Sequence, residues 1–172
     1  MYRSWISGTG SFLPEKKLTN YDLEKLVETN NEWILERTGI ESRRIAEAGA
    51  GASDLALPAA KDAMEMAGIT AKDLDMIIFA TVSPDYSMPS AACELQRKLG
   101  ARNIMAFDVS AACSGFLYAV SIADQFVRTG QYKHVLCVGA EVLHNLVDYK
   151  DRQTCILFGD GAGVGIVSRI TD

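Results

Sequence analysis

Apolar runs of strand length alternate along the chain with stretches in which apolar residues recur at helical spacing. Short, bounded and partly β-branched runs predict buried strands, and they lie at residues 5–6, 76–82, 104–109, 135–138, 155–158 and 164–167. After the run at 104–109, apolar residues recur at helical spacing, and a helix is predicted there. These apolar positions are 116, 117, 120, 122, 123 and 127. Strands that alternate with helices in this order predict a layered α/β architecture.

The predicted helices carry recognisable end signals. Side chains suited to N-capping predict helix starts at Thr19 or Asn20, at Asn31 and at Ser53. A fourth helix is expected to begin near Pro89, a favourable first-turn residue. Stops are predicted at Gly39, at Gly68, at Leu99–Gly100 and at Thr129–Gly130. Pro58 lies deep in the third helical stretch, which predicts either a later start or a kink there.

Composition restricts the function classes. The 172 residues suffice for one domain, of which 48% are hydrophobic and 23% charged. A net charge of −5 disfavours nucleic-acid binding, which relies on clustered basic residues. We find no membrane-length apolar stretch and no secretory signal pattern, so a cytoplasmic protein without a membrane partner is expected. The four cysteines lack the spacing of a metal or dithiol site, and neither a metal nor a disulfide is expected.

Residues 106–118, AFDVSAACSGFLY, place Cys113 where a predicted strand gives way to a small-residue turn and a helix. The first amides of a helix carry partial positive charge and favour the thiolate of a cysteine held against them. Ala111, Ala112 and Gly115 leave room for a substrate carbonyl, and a nearby amide can stabilise the oxyanion formed by attack. Cys113 is therefore a candidate nucleophile. The pattern equally favours a small buried apolar side chain.

Three further features have both a functional and a structural interpretation. The segment FGDGAG at 158–163 precedes an apolar run rather than a helix, so we predict a tight turn and a close approach of backbone near a site, with Asp160 bonding its own turn amides. Trp33 and Arg37 share one helix face, although packing of the indole on a core with a solvated Arg37 is favoured by pattern alone. His134 is predicted at the surface, and His144 is the better candidate base.

Taken together, these segments resemble β-ketoacyl-acyl carrier protein synthase III, the priming condensing enzymes of bacterial fatty acid synthesis. The matching motifs fall in family order along the chain: GTGS at 8–11, LP at 13–14, EWI at 32–34, RTGI at 37–40, PSAAC at 89–93, the Cys113 segment and FGDGAG at 158–163. The resemblance implies a thiolase-like α/β fold built from two similar halves, in a layered αβαβα arrangement. Residues 1–172 correspond to the first half, a mixed sheet covered by helices that carries the nucleophile.

The resemblance also implies a two-stage reaction and the residues that serve it. Cys113 would accept an acyl group from acyl-CoA and pass it to the carbanion formed by decarboxylation of malonyl-acyl carrier protein. The CoA-binding positions are Thr29, Trp33, Arg37 and Arg152. The acyl-pocket positions are Met88, Leu143, Leu157 and Phe158, with Met88 reaching across a twofold homodimer interface where the family often has Phe. Acyl-CoA is a substrate, so no cofactor is expected.

In the family, the catalytic His and Asn belong to the second half. A complementary C-terminal half is therefore an expected partner, and His134 and His144 are not assigned the catalytic role. Two other functions remain open from the sequence. One is a cysteine hydrolase of the α/β type, because Ala111-x-Cys113-x-Gly115 imitates its nucleophile elbow. The other is a non-catalytic CoA-binding or assembly subunit.

Overall fold

The computed structural model describes residues 1–170 and contains every predicted strand except that at 155–158, together with two short strands, at 17–19 and 42–44, that the apolar pattern does not predict. The strands are β1 (Ser4–Phe12), β2 (Lys17–Thr19), β3 (Ser42–Arg44), β4 (Met76–Ala80), β5 (Met105–Val109), β6 (His134–Val142) and β7 (Asp160–Arg169). The helices are α1 (Asn20–Leu23), α2 (Asn31–Thr38), α3 (Ala52–Ala67), α4 (Ala91–Leu99) and α5 (Gly115–Arg128).

The main sheet is mixed and has the strand order β1-β7-β6-β4-β5, while β2 and β3 form a separate antiparallel pair. Strand β4 runs parallel to both β5 and β6, and β7 runs antiparallel to β6 and β1. Because parallel strands point the same way, the segments that follow β4, β5 and β6 all leave one end of the sheet. The Cys113 segment is one of these.

Helices cover the two faces of the sheet, and each face has its own apolar core. Ile77 and Phe79 of β4 pack in the cluster that contains the buried alanines of α3. Met76 and Ile78 of the same strand pack in the cluster that contains Ala119 and other residues of α5. All five residues of β4 are buried, as expected for a central strand with helices on both sides.

The predicted strand at 155–158 is wrong. Residues 152–157 form consecutive turns, in which the Asp151 carboxylate accepts hydrogen bonds from the Gln153 amide at 2.9 Å and the Thr154 hydroxyl at 2.6 Å. The apolar side chains of Cys155 and Ile156 pack in a small separate cluster with Leu23 and Ile34. They do not belong to a strand of the sheet. Burial and strand formation leave the same apolar signature in so short a run.

The predicted glycine turn at 158–163 is also wrong beyond Gly159, since β7 begins at Asp160 and continues through the glycines. The glycine at 159 allows a close approach of another segment instead of a reversal. A Cβ built at Gly159 would lie 3.0 Å from the Arg44 carbonyl oxygen. A small residue there therefore lets the chain before β7 pack against β3, as the predicted close approach of backbone requires.

Most predicted helix ends are correct, and the exceptions occur at the starts. Thr19 caps α1, and α2, α3 and α4 end at glycines with left-handed φ. Helix α2 is capped by Asn30, one residue before the predicted Asn31, and α4 by Ser90, which leaves Pro89 outside the helix. No helix within the described residues is long and apolar enough to cross a membrane.

Helix α3 neither starts late nor takes its cap from Ser53. It begins after Gly51 and includes Pro58. Asp85 accepts hydrogen bonds from the Ser53 amide and hydroxyl, and Asp54 accepts one from the Gly51 amide. These carboxylates stabilise the first turn, where negative charge is favourable, so the helix tolerates a proline that removes one internal hydrogen bond.

Candidate active site

Cys113 lies at the start of α5, as the sequence predicts. A single 3-10 turn, Ala112–Ser114, connects the segment after β5 to the helix. Ala112 has a φ of 45°, a left-handed conformation that costs free energy in a residue with a side chain. Gly115 is buried, and a Cβ there would lie 2.8 Å from the Cβ of Ala80 at the end of β4. The strained turn and the close packing place Cys113 at the first turn of the helix.

The four cysteines differ sharply in exposure. Cys113 is exposed, Cys93 is partly buried, and Cys137 and Cys155 are buried. The interpretation of Cys113 as a buried apolar side chain is therefore wrong. Burial raises the pKa of Cys137 to about 12, and burial also raises the pKa of Cys155. Of the four thiols, only Cys113 combines exposure with a place at a helix start. Residues 1–170 contain no cluster of three or more side chains suited to a metal ion.

Brief treatment with iodoacetamide near neutral pH is expected to alkylate Cys113 before the other three cysteines. The physical reason is that alkylation requires an accessible thiolate, which burial denies to Cys137 and Cys155. Cys93 serves as the internal control, because its Sγ lies 3.8 Å from the Ala106 carbonyl oxygen and is partly covered. Peptide mapping by mass spectrometry measures the order of labelling. Dominant labelling of Cys93 would contradict the assignment of Cys113 as the reactive thiol.

Three of the predicted CoA-binding side chains meet at one surface. The guanidinium carbon of Arg37 lies 4.4 Å from the Trp33 ring centroid, and that of Arg152 lies 5.1 Å from it. Asn30 caps α2 by accepting a hydrogen bond from the Trp33 backbone amide at 2.8 Å, which fixes the start of the helix that carries the indole. Arg152 comes from the turn region at 152–157 and donates to the Glu28 carbonyl oxygen at 3.3 Å. The three side chains thus form a cation–aromatic cluster between α2 and that turn region. The interpretation of Trp33 as a core residue with a solvated Arg37 does not account for the contact with Arg152.

The fourth predicted CoA residue, Thr29, adds an unusual polar atom to this surface. Its Oγ1 is buried and has no hydrogen-bond partner within residues 1–170. Buried hydroxyls are normally paired, because an unpaired one costs free energy. Thr29 follows Glu28, whose carbonyl oxygen accepts from Arg152. Thr29 Oγ1 is thus a buried, unpaired polar atom next in the chain to the carbonyl that Arg152 binds.

The residues predicted to line an acyl pocket divide into two groups. Leu143 and Phe158 line the same open cleft of about 330 Å³, together with Leu146, Val147, Asp148 and Thr154. Leu157 is not among its lining residues and is 44% exposed. Met88 lies on the loop before α4 and is 86% exposed, away from this cleft.

Asp160 is buried, and its partners come from other segments of the chain. Its carboxylate accepts hydrogen bonds from the amides of Ala46 at 2.7 Å and His144 at 3.0 Å, and it lies 2.5 Å from His144 Nδ1. The prediction that Asp160 bonds its own turn amides is wrong, because the residue opens a strand. It instead connects the loop before α3 with the turn that carries Leu143.

His134 is also placed differently from the prediction. It is half-buried at the start of β6, and its Nδ1 lies 2.8 Å from the Ser168 hydroxyl. Burial lowers the pKa of His134, which favours the neutral ring. Neither histidine is hydrogen-bonded to Cys113.

Sequence reasoning missed several polar residues that shape this end of the sheet. Asp108 of β5 accepts hydrogen bonds from the amides of Ala91 and Ala92, both at 2.8 Å, and so fixes the start of α4. Glu141 of β6 accepts from the Thr81 hydroxyl at 3.0 Å and the Val82 amide at 2.9 Å. The sequence does contain a signal for both residues, because each is a carboxylate near the end of an apolar strand. Such groups often accept hydrogen bonds from nearby backbone amides.

Arg43 of β3 is a further missed residue. In the sequence it stands only as half of a short basic pair with Arg44, too small a cluster to indicate a binding site. In the structure Arg43 is 3% exposed, and burial lowers the pKa of its guanidinium. It hydrogen-bonds the Asn20 side chain and the Ile156 carbonyl oxygen.

Comparison with known sequences identifies the relatives of this chain. The family model described as 3-oxoacyl-[acyl-carrier-protein] synthase III matches residues 107–172. A protein of Caldanaerobacter subterraneus named β-ketoacyl-[acyl-carrier-protein] synthase III is 58% identical over 165 residues, which are 96% of this chain and 50% of the relative. A protein of the same name from Ehrlichia canis is 51% identical over all 172 residues, covering 54% of its length. The chain thus spans about half the length of the curated relatives it matches.

Solved structures agree with the sequence matches. The 3-oxoacyl-[acyl-carrier-protein] synthase III of Aquifex aeolicus superposes with a TM-score of 0.95 at 51% identity, over 98% of this chain and 55% of that chain. The priming β-ketosynthase of the R1128 polyketide pathway superposes with a TM-score of 0.95 at 36% identity, over 98% of this chain and 51% of the other. The predicted thiolase-like α/β fold with a mixed sheet is confirmed.

Proposed function

We infer that this chain, whose resemblance to the β-ketoacyl-acyl carrier protein synthase III family the relatives confirm, is the nucleophile-bearing half of a priming condensing enzyme of fatty acid synthesis. The observation that carries the inference is the exposed thiol of Cys113 at the first turn of α5, directly after the strained Ala112. Strain of this kind persists where the surrounding structure holds a functional geometry.

The chemistry runs in two stages. The Cys113 thiolate attacks the thioester carbonyl of acyl-CoA, a tetrahedral oxyanion forms, and its collapse releases the thiolate of CoA and leaves an acyl-cysteine thioester. Decarboxylation of malonyl-acyl carrier protein then releases carbon dioxide and leaves a carbanion on the carrier thioester. That carbanion attacks the acyl-cysteine carbonyl, forms the new carbon–carbon bond and expels the Cys113 thiolate. Backbone amides at the start of α5 are suited to stabilise the oxyanions of both attacks.

The surface around Trp33 is proposed to bind the nucleotide end of CoA. Adenine is a flat π system that suits the faces of an indole and a guanidinium, and Arg37 supplies a positive charge for phosphate. The Arg152 carbon lies 5.1 Å from the Trp33 centroid, whereas an inserted base needs about 7 Å, twice an ordinary contact distance. Arg152 is exposed and must swing outward by roughly 2 Å to admit the base. Thr29 Oγ1, buried and unpaired, would gain a partner on binding.

Substitutions Trp33→Ala and Arg152→Ala are expected to raise the dissociation constant of CoA several-fold each. Stacking on an aromatic or guanidinium face contributes about 1 kcal/mol, which corresponds to roughly fivefold in affinity. Isothermal titration of CoA into each variant measures the effect. Trp5→Ala is the matched control, because Trp5 is 54% exposed on β1 and is expected to leave the affinity unchanged. Wild-type affinity in both test variants, with the fold intact, would show that the cluster is structural.

The acyl group is proposed to occupy the cleft that Leu143 and Phe158 line, with Leu157 beside it along the chain. Met88 would complete this pocket from a second copy of the enzyme, across a twofold homodimer. Its 86% exposure on the loop before α4 supports that role, because an unbranched apolar side chain is left without packing partners.

A complementary half is proposed to supply the family's His and Asn. Apolar side chains exposed on the α5 side of the sheet support this. Leu117 and Tyr118 of α5 are 66% and 54% exposed, and Ile6 of β1 is 51% exposed near Gly165. Exposed apolar side chains in such numbers favour association. No hydrogen bond joins His134 or His144 to Cys113 within residues 1–170, and their Nδ1 atoms bond Ser168 and Asp160 instead, so a base from another half is the simpler proposal.

The two other candidate functions gain less from the geometry. A cysteine hydrolase needs a histidine hydrogen-bonded to its nucleophile, and Cys113 has no such partner within residues 1–170. A non-catalytic CoA-binding subunit would not need the strained Ala112 that presents Cys113. Release of free acid from acyl-CoA would support the hydrolase. Titratable CoA binding without any acylation of Cys113 would support the non-catalytic subunit.

A further inference from the structure

Arg43 is a buried cation that salt bridges do not explain. It is 3% exposed, and no carboxylate forms an ion pair with it in the part of the chain that the structure describes. Its Nε donates to the Ile156 carbonyl oxygen at 2.8 Å, and its Nη2 donates to the same oxygen. Its Nη1 donates to Asn20 Oδ1 at 2.5 Å. Burial of a charged group is destabilising unless hydrogen bonds of good geometry compensate for the lost water. The guanidinium of Arg43 therefore depends on its two acceptors, Asn20 and Ile156.

Asn20 extends the network to both ends of helix α2. Its Nδ2 donates to Asn31 Oδ1 at 3.0 Å and to the Ile40 carbonyl oxygen at 2.9 Å. Asn31 is the first residue of α2, and Ile40 lies directly beyond the Gly39 that ends it. Asn20 is itself 1% exposed and uses both its acceptor and its donor group. The position of α2 is therefore tied at its start and at its end to one buried amide.

The two hydrogen-bond partners of Arg43 connect it to the two segments that form the Trp33 cluster, α2 and the turn region at 152–157. Through Asn20 the guanidinium is connected to α2, which carries Trp33 and Arg37. Through Ile156 it is connected to the turn region at 152–157, which carries Arg152. Gly159 helps this second connection, because a Cβ there would lie 3.0 Å from the Arg44 carbonyl oxygen and 3.2 Å from the Arg43 Cβ. The turn region can thus pack directly against β3.

We propose that Arg43 and Asn20 form a positioning bridge that sets the separation of Trp33 and Arg152 and thereby determines the affinity for CoA. The inference rests on the proposed binding of CoA at Trp33. Neither residue of the bridge touches the ligand; both act through α2 and the turn region at 152–157. Arginine is required because a planar fork donates to Ile156 from two nitrogens while a third nitrogen reaches Asn20, and the single ammonium of lysine has no such geometry.

The test uses the purified protein, with any polypeptide that co-purifies, in a Trp5→Phe background that leaves Trp33 as the one tryptophan of the sequence. The CoA dissociation constant of every variant, Trp33→Ala included, is measured by isothermal titration, and the Trp33 emission spectrum is recorded with and without CoA in the variants that keep Trp33. Arg43→Lys keeps the charge and removes the fork. Asn20→Asp keeps the acceptor for Arg43 and removes the donor to Asn31 and Ile40. Arg44→Lys is the matched control, because Arg44 donates to the Pro14 carbonyl oxygen at 2.8 Å outside this network.

The bridge predicts that Arg43→Lys and Asn20→Asp each raise the CoA dissociation constant by about tenfold and shift the Trp33 emission. The alkylation rate of Cys113, on a different element, is expected to stay within about twofold of the parent. Arg44→Lys is expected to match the parent in every readout. If Arg43→Lys does not fold, Asn20→Asp decides by the same criteria.

Two results would overturn the proposal. One is an unchanged CoA affinity in the folded bridge variants while Trp33→Ala still weakens binding, which would leave CoA binding at Trp33 in place without a role for the bridge. The other is a parallel loss of thermal stability, CoA affinity and Cys113 alkylation, which would make the bridge a general structural contact. Failure of Trp33→Ala itself to weaken CoA binding would refute the CoA site, and the bridge with it.

Discussion

Cys113→Ala is expected to abolish formation of β-ketoacyl-carrier protein by the complete enzyme, with a loss of at least about 10³-fold in rate. Both stages of the proposed reaction need this thiol, first as the attacking nucleophile and then as the leaving group. No second thiol can replace it, because Cys93 is partly covered and Cys137 and Cys155 are buried. The measurement is the rate of condensation of acyl-CoA with malonyl-acyl carrier protein, followed by the carbon dioxide released and by the ketoacyl product.

Cys93→Ala provides the matched control for this loss. Its thiol lies in the first turn of α4, near the Ala106 carbonyl oxygen, and has no role in the proposed chemistry. The variant is expected to retain most of the parent rate. Condensation that survives in Cys113→Ala at more than about a tenth of the parent rate would show that another group carries the acyl chain.

The second large effect concerns completeness. Without a complementary half, these 172 residues are expected to release carbon dioxide from malonyl-acyl carrier protein at least about 10²-fold more slowly than with that half present, since loss of a single donor to a developing oxyanion already costs this much. Acylation of Cys113 by acyl-CoA is expected to persist at a measurable rate, because thiol and helix start belong to this chain. Comparing the two rates with and without the added half separates the stages.

Solution molar mass is the companion measurement, since the exposed apolar face of α5 is expected to drive association. A folded, stable monomer of this chain with full condensing activity would contradict the two-half account. It would also require a base among these residues, and the search would begin at His144, which contacts the buried Asp160 at 2.5 Å.

The local pattern was sufficient for the elements that surround Cys113. Strands β4 and β5 and helix α5 lie where the apolar runs place them, because a buried central strand and an amphipathic helix both impose a strong periodicity. The pattern failed at residues 155–158, where burial in a satellite cluster produced a strand-like run. It failed again at Gly161 and Gly163, which continue β7 because they pair with β1 and β6, strands that are distant from them in sequence.

The candidate site was predictable in its parts and not in its connections. Exposure of Cys113 and stacking of Arg152 on Trp33 agree with positions that the family resemblance supplied. The spacing of Trp33 and Arg37 suggested a shared face, but contact with Arg152 depends on a turn more than a hundred residues away. Arg43 was missed for the same reason, because its acceptors on Asn20 and Ile156 come together only in the folded chain.

The most direct test of the account is to locate the acyl group after the protein meets an acyl-CoA in the absence of malonyl-acyl carrier protein. Rapid acid quenching, proteolysis and mass spectrometry would map the modified peptide and count the acyl groups. The account predicts one thioester-linked acyl group, on the peptide that contains Cys113, and none in the Cys113→Ala variant. An acyl group on a different residue, or steady release of free acid without any acylated Cys113, would contradict it.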